Sequence, residues 1–302
     1  MKTGNQLLEV TRKDARYDTI AKKYIFKNKY WPTVFVDKNI SFPYDPGSIF
    51  KTITYAIWLD TNEISQYEYY EDPKNFVTID KYTIENANEI CKWNHNFLFA
   101  LKHSCNVWIV RIVQKLTKYV FYNYLKKLEF WKKTGIELAW EKEWYVESAN
   151  TVSTARFLNN SFWLGLLVTP IQIARAYWTM INWGKLLQPT IVDKVCDTNN
   201  NECYDNSTKT KNQVFKSSIS EKIKKALMEV AKTPENAEHV RLEWFDLGGK
   251  SWTAELVYKW EYKEWKWRTN WSYVWIVTKN NLKYIVVVQV RRPRKSQRWW
   301  ET

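Results

Sequence analysis

The sequence predicts an α+β fold, an antiparallel sheet of about five strands packed with helices. Two patterns carry that expectation. Segments with apolar residues at helical spacing crowd the middle of the chain, whereas runs rich in Val, Ile and Tyr cluster at its C-terminal end between polar turns. Helices and strands segregated in this way, rather than alternating, indicate α+β architecture. With 302 residues, 45% hydrophobic and 26% charged, the chain can bury a large core, which excludes a disordered polypeptide.

Taken in order, residues 1–30 are mixed and polar and read as an N-terminal remnant or linker. Residues 31–295 read as one domain and 296–302 as a disordered tail. The first helix is "SIFKTITYAIWLDTNE", with Ile49, Phe50, Ile53, Ala56 and Ile57 on its apolar face. Residues 61–90 suit loops and short strands. "NHNFLFALKHSCNVWIVRIVQKL" is helical, with a break expected between His103 and Asn106, and "YVFYNYLKKLEF" follows. In "TPIQIARAYWTMIN", Thr169 is the N-cap and Pro170 the first helical residue. Residues 189–215 suggest a strand pair with a polar loop, and "SISEKIKKALMEVAKTPE" an amphipathic helix. The strands "WFDLGGKSWTAEL", "SYVWIVTK" and "LKYIVVVQVRRP" close the chain. No window of 18 apolar residues occurs, and "MKTGNQLLEVTRKDARYD" has no signal-peptide pattern, so the chain as written is expected to be soluble.

The aromatic content is abnormal. There are 19 Trp and only 7 Gly, where an average chain of this length has roughly 21 glycines. Trp recurs where turns and helix ends favour glycine. Trp183, in "Asn182-Trp183-Gly184", stands at a helix C-terminus, where a left-handed residue is common. Others fall among charged residues in "LEFWKKTGIELAWEKEW" and "YKWEYKEWKWRTNWSYVW". The expectation is that many of these Trp stand where the natural protein has glycine. UGA is a stop in the standard code, Trp in one variant code and Gly in some bacterial lineages. The competing reading is a genuine Trp-rich surface for sugars or nucleic acid.

The net charge of +14 is scattered, with no recognition-helix pattern, and suits anionic lipid or wall polymers as well as nucleic acid. Cys91 and Cys105 are expected to be buried, inert thiols. Cys196 and Cys203 bracket the turn-rich "DTNNNE"; a hairpin-closing disulfide there requires an oxidising compartment, and two free thiols are the alternative. His95, His103 and His239 form no ligand pattern and no C-x-x-C spacing exists, so neither a metal nor another cofactor is expected.

Three motifs carry candidate chemistry. Ser48-Ile49-Phe50-Lys51 is an S-x-x-K at a helix start, which places hydroxyl and amine on one face. A serine hydroxyl needs a base to become a nucleophile, and lysine serves only when desolvation or a second cation lowers its pKa. Ser104-Cys105-Asn106 is an S-x-N at a helix junction, able to relay a proton and hold an amide. Lys250-Ser251-Trp252-Thr253 offers a second cation and two hydroxyls for a carboxylate, after two glycines that permit close approach. The backbone N–H groups of Ser48 and Thr253 are candidates for an oxyanion hole. Singly, each motif is weak. Lys51 alone reads as a solvated lysine, and S-x-N as a helix cap.

In this order, the trio resembles the serine acyl-transferases that react with penicillin. "YDPGSIFK" resembles the Y-x-P-G-S-x-F-K of class B penicillin-binding proteins, and "ALKHSCNVW" their A-L-x-x-S-C-N-x-G. "SFWLGLLVTPIQIARAYWTMINWGKLLQPTIV" resembles their G-x-G-x-x-V-T-P-x-Q-x-A-x-A-Y-x-x-x-x-N-G-G-x-x-x-x-P, and "GGKSWTAEL" their G-K-[S/T]-G-T-A. The resemblance covers about residues 30–293. It implies a penicillin-binding transpeptidase/serine β-lactamase-like fold and peptidoglycan DD-transpeptidase activity. Ser48 would be the acylated nucleophile, Lys51 its base, Ser104 and Asn106 the proton relay and substrate holder. Lys250, Ser251 and Thr253 would bind carboxylate.

The implied partners are stem peptides ending in D-Ala-D-Ala, β-lactams, and glycosyltransferase and divisome or elongasome proteins, not nucleic acid. The implied location is the extracytoplasmic face of the cell membrane. Two features depart from the family. Its membrane anchor and pedestal domain are not found in these residues, and Trp108, Trp163, Trp183 and Trp252 occupy its glycine positions. A literal indole at 252 is expected to crowd the acyl site, with Trp108 pressing on the same region. A serine β-lactamase is the alternative on the same fold, although no E-x-x-L-N candidate is evident. A non-catalytic sensor or scaffold is the other.

Overall fold

The computed structural model describes residues 15–18, 23–26, 36–61, 68–72, 74–79, 82–143, 146–162, 166–197, 202–233, 244–255, 257–258, 261–262, 269–280 and 282–291. Two short strands, β1 (Ala15–Asp18) and β2 (Lys23–Phe26), pair antiparallel. The helix α1 (Lys38–Ser41) is capped by the Asp37 carboxylate, which accepts from Asn39 N. A 3-10 turn over Gly47–Ile49 leads directly into α2 (Phe50–Thr61). Every residue of α2 from Phe50 to Asp60 is buried. A helix buried on all sides is one that neighbours surround.

Those neighbours follow in sequence. The strands β3 (Tyr69–Asp72), β4 (Phe76–Ile79), β5 (Tyr82–Glu85) and β6 (Trp93–Asn96) form two ribbons, β3 with β6 and β4 with β5. The predicted break splits the next helix into α3 (Phe97–Lys102) and α4 (Asn106–Lys115). α5 (Lys118–Lys127) is capped by Thr117, and α6 (Thr154–Phe162) is a helix not anticipated from the sequence. α7 (Pro170–Ile181) starts where expected, with Thr169 N donating to Gln172 Oε1 at 3.0 Å. Four short strands come next: β7 (Lys185–Leu187), β8 (Lys194–Asp197), β9 (Glu202–Asp205) and β10 (Thr210–Gln213). α8 (Ser217–Ala231) buries Ile219, Ile223, Ala226, Leu227 and Val230 along one stripe.

The C-terminal sheet consists of β11 (Asp246–Glu255), β14 (Thr269–Lys279) and β15 (Leu282–Arg291), with β12 (Val257–Tyr258) and β13 (Glu261–Tyr262) as a separate small ribbon. The order is β11-β14-β15, antiparallel throughout, so among the described residues β11 is an edge strand. About five strands were expected; among the described residues this sheet has three. β11 packs closely on α8 at Gly248 and on its neighbour β14 at Gly249. A Cβ on Gly248 would stand 2.9 Å from the backbone N of Met228, and one on Gly249 2.6 Å from the Val274 carbonyl oxygen.

The cysteine expectation needs correction. Cys91 and Cys105 are not free thiols but a disulfide, with Cα atoms 5.6 Å apart. Both were rightly expected to be buried. A 3-10 turn over Glu89–Cys91 carries one sulfur to the α3–α4 junction that holds the other, a proximity that sequence spacing does not reveal. Cys196 and Cys203 are also bonded, directly opposite each other in the β8–β9 ribbon.

Tryptophan dominates the unusual backbone. Among the described residues, eight non-glycine positions have positive φ, and four of them are Trp93, Trp140, Trp183 and Trp244, at φ 78°, 72°, 50° and 75°. For a bulky side chain that conformation is an outlier, because Cβ crowds the following carbonyl. All four rings are exposed, so no packing of the indole accounts for it. Trp108, by contrast, turns into the core and meets Trp58 edge-on at 5.8 Å and Phe97 at 4.7 Å. The expectation that it presses on the S-x-N region is therefore corrected. Trp163 lies outside the described residues.

Candidate active site

The first motif sits where the 3-10 turn becomes α2. Gly47 adopts φ +60° and its N–H reaches Asp45 Oδ1 at 3.2 Å, which sets the turn that presents Ser48. Tyr177 of α7 fixes the same turn from beneath. Its buried hydroxyl donates to the Ile49 carbonyl at 2.7 Å and lies 3.0 Å from Thr52 Oγ1. Burial pushes that phenol far above its usual range, so it stays protonated.

The second motif closes on Lys51. Ser104 takes φ 59° at the α3–α4 junction, which turns both its carbonyl and its hydroxyl inward. Lys51 Nζ donates to Ser104 O at 2.6 Å, Ser104 Oγ at 3.0 Å and Asn106 Oδ1 at 2.5 Å. These three bonds are to Ser104 and Asn106 and none is to Ser48. Asn106 is held in turn by its Nδ2, which donates to the Glu85 carbonyl at 2.8 Å.

The third motif lies on β11, whose strand packs against the Gly47–Ile49 turn. Lys250 pairs in register with Val274, Ser251 with Tyr273, Trp252 with Ser272 and Thr253 with Trp271. Strand alternation gives Lys250 and Trp252 one face and Ser251 the other. Lys250 is 3% exposed and Lys51 1%. The side chain of Thr253 lies outside the described residues.

Two lysines buried together cannot both stay charged cheaply. Burial first, and then the Lys250 cation, holds Lys51 well below the ordinary lysine range. Burial alone brings Lys250 down to about 8. Lys51 therefore gives up a proton more readily than an ordinary lysine, while Lys250, at about 8, keeps most of its charge at neutral pH. A neutral amine beside a serine is competent as a base, and a cation on an edge strand is competent to hold a carboxylate.

Trp252 lies between the motifs. Its side chain is buried over Gly47, next to Ser48. A Cβ on Gly47 would fall 1.8 Å from the indole Cε2 and Nε1. The ring also faces Tyr44, centroid to centroid at 6.4 Å. The indole thus fills the space between the serine turn and the strand.

The structure brings Lys51 to Ser104 and Asn106 and sets Lys250 near enough to act on Lys51 electrostatically, while Ser251 takes the other face of its strand. The pinning tyrosine and the Cys91–Cys105 bond were missed. Tyr177 is in a quoted motif but reads there as one more apolar position. Among the described residues no group of three His, Cys, Asp or Glu forms a metal-binding cluster, and no helix is long and apolar enough to cross a membrane.

A serine turn at a helix start, a lysine in a serine–asparagine cluster and a second lysine on an edge strand define the active-site-serine, penicillin-recognising class of fold. The chain belongs to the family described as the penicillin binding protein transpeptidase domain, whose model matches residues 1–299. Among curated relatives it is 28% identical over 212 residues to the "Peptidoglycan D,D-transpeptidase FtsI homolog" of Mesostigma viride, covering 64% of this chain and 34% of that protein. It is likewise 28% identical over 224 residues to "Stage V sporulation protein D" of Bacillus subtilis, covering 73% of this chain and 34% of that protein. The chain thus spans about a third of the length of these relatives. Among solved structures, Penicillin Binding Protein 2X of Streptococcus thermophilus superposes with a TM-score of 0.77 at 21% identity, over 87% of this chain and 40% of that one. Penicillin binding protein 3 from Mycobacterium, solved with aztreonam, gives 0.77 at 18% identity, over 85% and 58%. These likenesses establish the shared fold.

Proposed function

We propose that this chain is the catalytic domain of a peptidoglycan DD-transpeptidase acting at the extracytoplasmic face of the membrane. The observation that carries the reading is the Lys51 amine, desolvated, held by Ser104 and Asn106 and depressed further by Lys250. In the proposed reaction Lys51 takes the Ser48 proton as Oγ attacks the penultimate D-Ala carbonyl of a stem peptide. The oxyanion rests on the N–H groups of Ser48 and Thr253. The C–N bond breaks, the proton passes through Lys51 and Ser104 to the leaving amine, and free D-Ala departs. An amine of a neighbouring strand then attacks the ester, and its proton returns to Ser48.

Asn106 holds the substrate amide and Lys250 receives its carboxylate; Ser251 and Thr253, expected to share that role, stand out of step with Lys250 along β11. The open edge of β11 gives the peptide a strand to pair with. β-Lactams enter the first half-reaction and remain as an ester on Ser48. Two disulfides support an oxidising compartment. Glycosyltransferase and divisome or elongasome partners are further expectations of the same reading. The test is release of D-Ala from a D-Ala-D-Ala peptide with formation of a dimer in the presence of an acceptor amine. Hydrolysis with no dimer would contradict transpeptidation.

We further propose that the natural polypeptide has glycine at 93, 140, 183, 244 and 252. Four of these take positive φ with exposed rings, and the fifth fills the acyl site. Peptide masses of the protein from its own organism, read beside the codons, test this; UGG at 252 would refute it. If the indole is genuine, the favoured reading is a blocked, non-catalytic member of the family.

A further inference from the structure

The S-x-N turn is held from outside by a segment that none of the three motifs includes. Cys105 is the N-cap of α4, and its side chain makes no capping hydrogen bond. A helix start exposes N–H groups that need acceptors. Here the acceptor comes from Asn86, whose Oδ1 takes the Val107 N–H at 2.9 Å. The Asn86 amide cannot rotate away, because its Nδ2 donates to Asn75 Oδ1 at 2.8 Å and its N–H to the Asn75 carbonyl at 3.1 Å. Asn75 is itself held at φ 59°, with Nδ2 on Glu89 Oε1 at 3.2 Å. The Glu85 carbonyl on Asn106 Nδ2 and the Cys91–Cys105 disulfide tie the same segment to the same turn on either side. Asn86 is 7% exposed, so water does not replace it.

We propose that Asn86 is a positioning residue for acylation. By capping α4 remotely it sets the orientation of Ser104 and Asn106, and through them the Lys51 amine. It touches no substrate itself. The inference rests on the transpeptidase reading above, and the test separates the two. Trp252→Gly serves as the parent, so that the acyl site is open. Asn86→Ala removes the acceptor, whereas Asn86→Asp keeps one at the positive end of the helix. Two measurements are made: amide hydrogen exchange of residues 104–107, and penicillin acylation resolved into a binding constant and a rate constant.

Asn86→Ala is expected to speed exchange at 104–107 and slow the acylation rate constant by roughly 10- to 100-fold, as a small misplacement of catalytic groups does. Its binding constant should change little, and Asn86→Asp, which keeps the acceptor for the Val107 N–H but loses the donor to Asn75 Oδ1, should fall between Asn86→Ala and the parent in both readouts. Unchanged exchange in Asn86→Ala, or equal slowing in Ala and Asp variants, overturns the proposal. Should Asn86→Ala not fold, Asn75→Ala frees the Asn86 amide without touching the turn and is expected to show the same two effects. A parent that does not acylate refutes the transpeptidase reading, and the exchange measurement still decides the role of Asn86.

Discussion

Replacing Trp252 by glycine is expected to open the acyl site. The indole lies over the Gly47 Cα, so close that no Cβ fits between them, and it is almost completely buried. For a substrate backbone to pair with β11 beside Ser48, the ring must leave that position. Stripping a packed Trp of its contacts costs about 3–5 kcal/mol. At about 1.4 kcal/mol per decade, Trp252→Gly should therefore raise the acylation rate by between roughly 10²- and 4 × 10³-fold. The assay is stopped-flow or gel-based labelling with a fluorescent penicillin across a concentration series. Circular dichroism melts of both forms correct for any change in the folded fraction. Equal labelling rates in the two proteins would refute the steric reasoning.

Other outcomes follow from the same geometry. Lys250 has a folded value of about 8, below the ~10.4 of an unfolded lysine, so between those values the unfolded chain binds more protons and stability rises with pH. Lys250→Met should lessen that slope in urea unfolding at pH 7 and 9.5, leaving the part that the depressed Lys51 contributes, stabilise the fold at pH 7 by up to about 3 kcal/mol, and abolish labelling; a slope as steep as the parent's would contradict the assignment. Glycine at Trp93, Trp140, Trp183 or Trp244 should each raise stability by about 1 kcal/mol, read as a shift in the urea midpoint. The gain should be smallest at Trp183, whose ring also receives the Lys283 ammonium at 4.2 Å; a loss at all four would argue that Trp belongs there. Tyr177→Phe should cost about 1–3 kcal/mol, because it leaves the Ile49 carbonyl short of a buried donor, and should slow labelling; unaltered stability and rate would remove Tyr177 from the account.

The three motifs were legible in the sequence because each is short and local. S-x-x-K needs only one helical turn to put Ser48 and Lys51 on one side, and the break at His103–Asn106 is signalled by polar residues interrupting an apolar period. Thr169 and Pro170 announce their helix in the same local way. What escaped is non-local. Nothing in "NANEIC" indicates that Asn86 caps a helix more than a dozen residues later, or that Cys91 meets Cys105. The inward turn of Trp108 depends on Trp58 and Phe97, which tertiary packing alone brings beside it. Backbone sign is intermediate: Trp183 was expected at a left-handed position from its neighbours, whereas Trp93 and Trp244 carried no such cue.

The most direct measurement treats the Trp252→Gly protein with benzylpenicillin and locates the adduct by peptide mass spectrometry, with Ser48→Ala in the same background as control. The account predicts one persistent penicilloyl group per chain, on Ser48, and none in the control. An adduct elsewhere, no adduct in a folded protein, or rapid turnover to free penicilloate would contradict it.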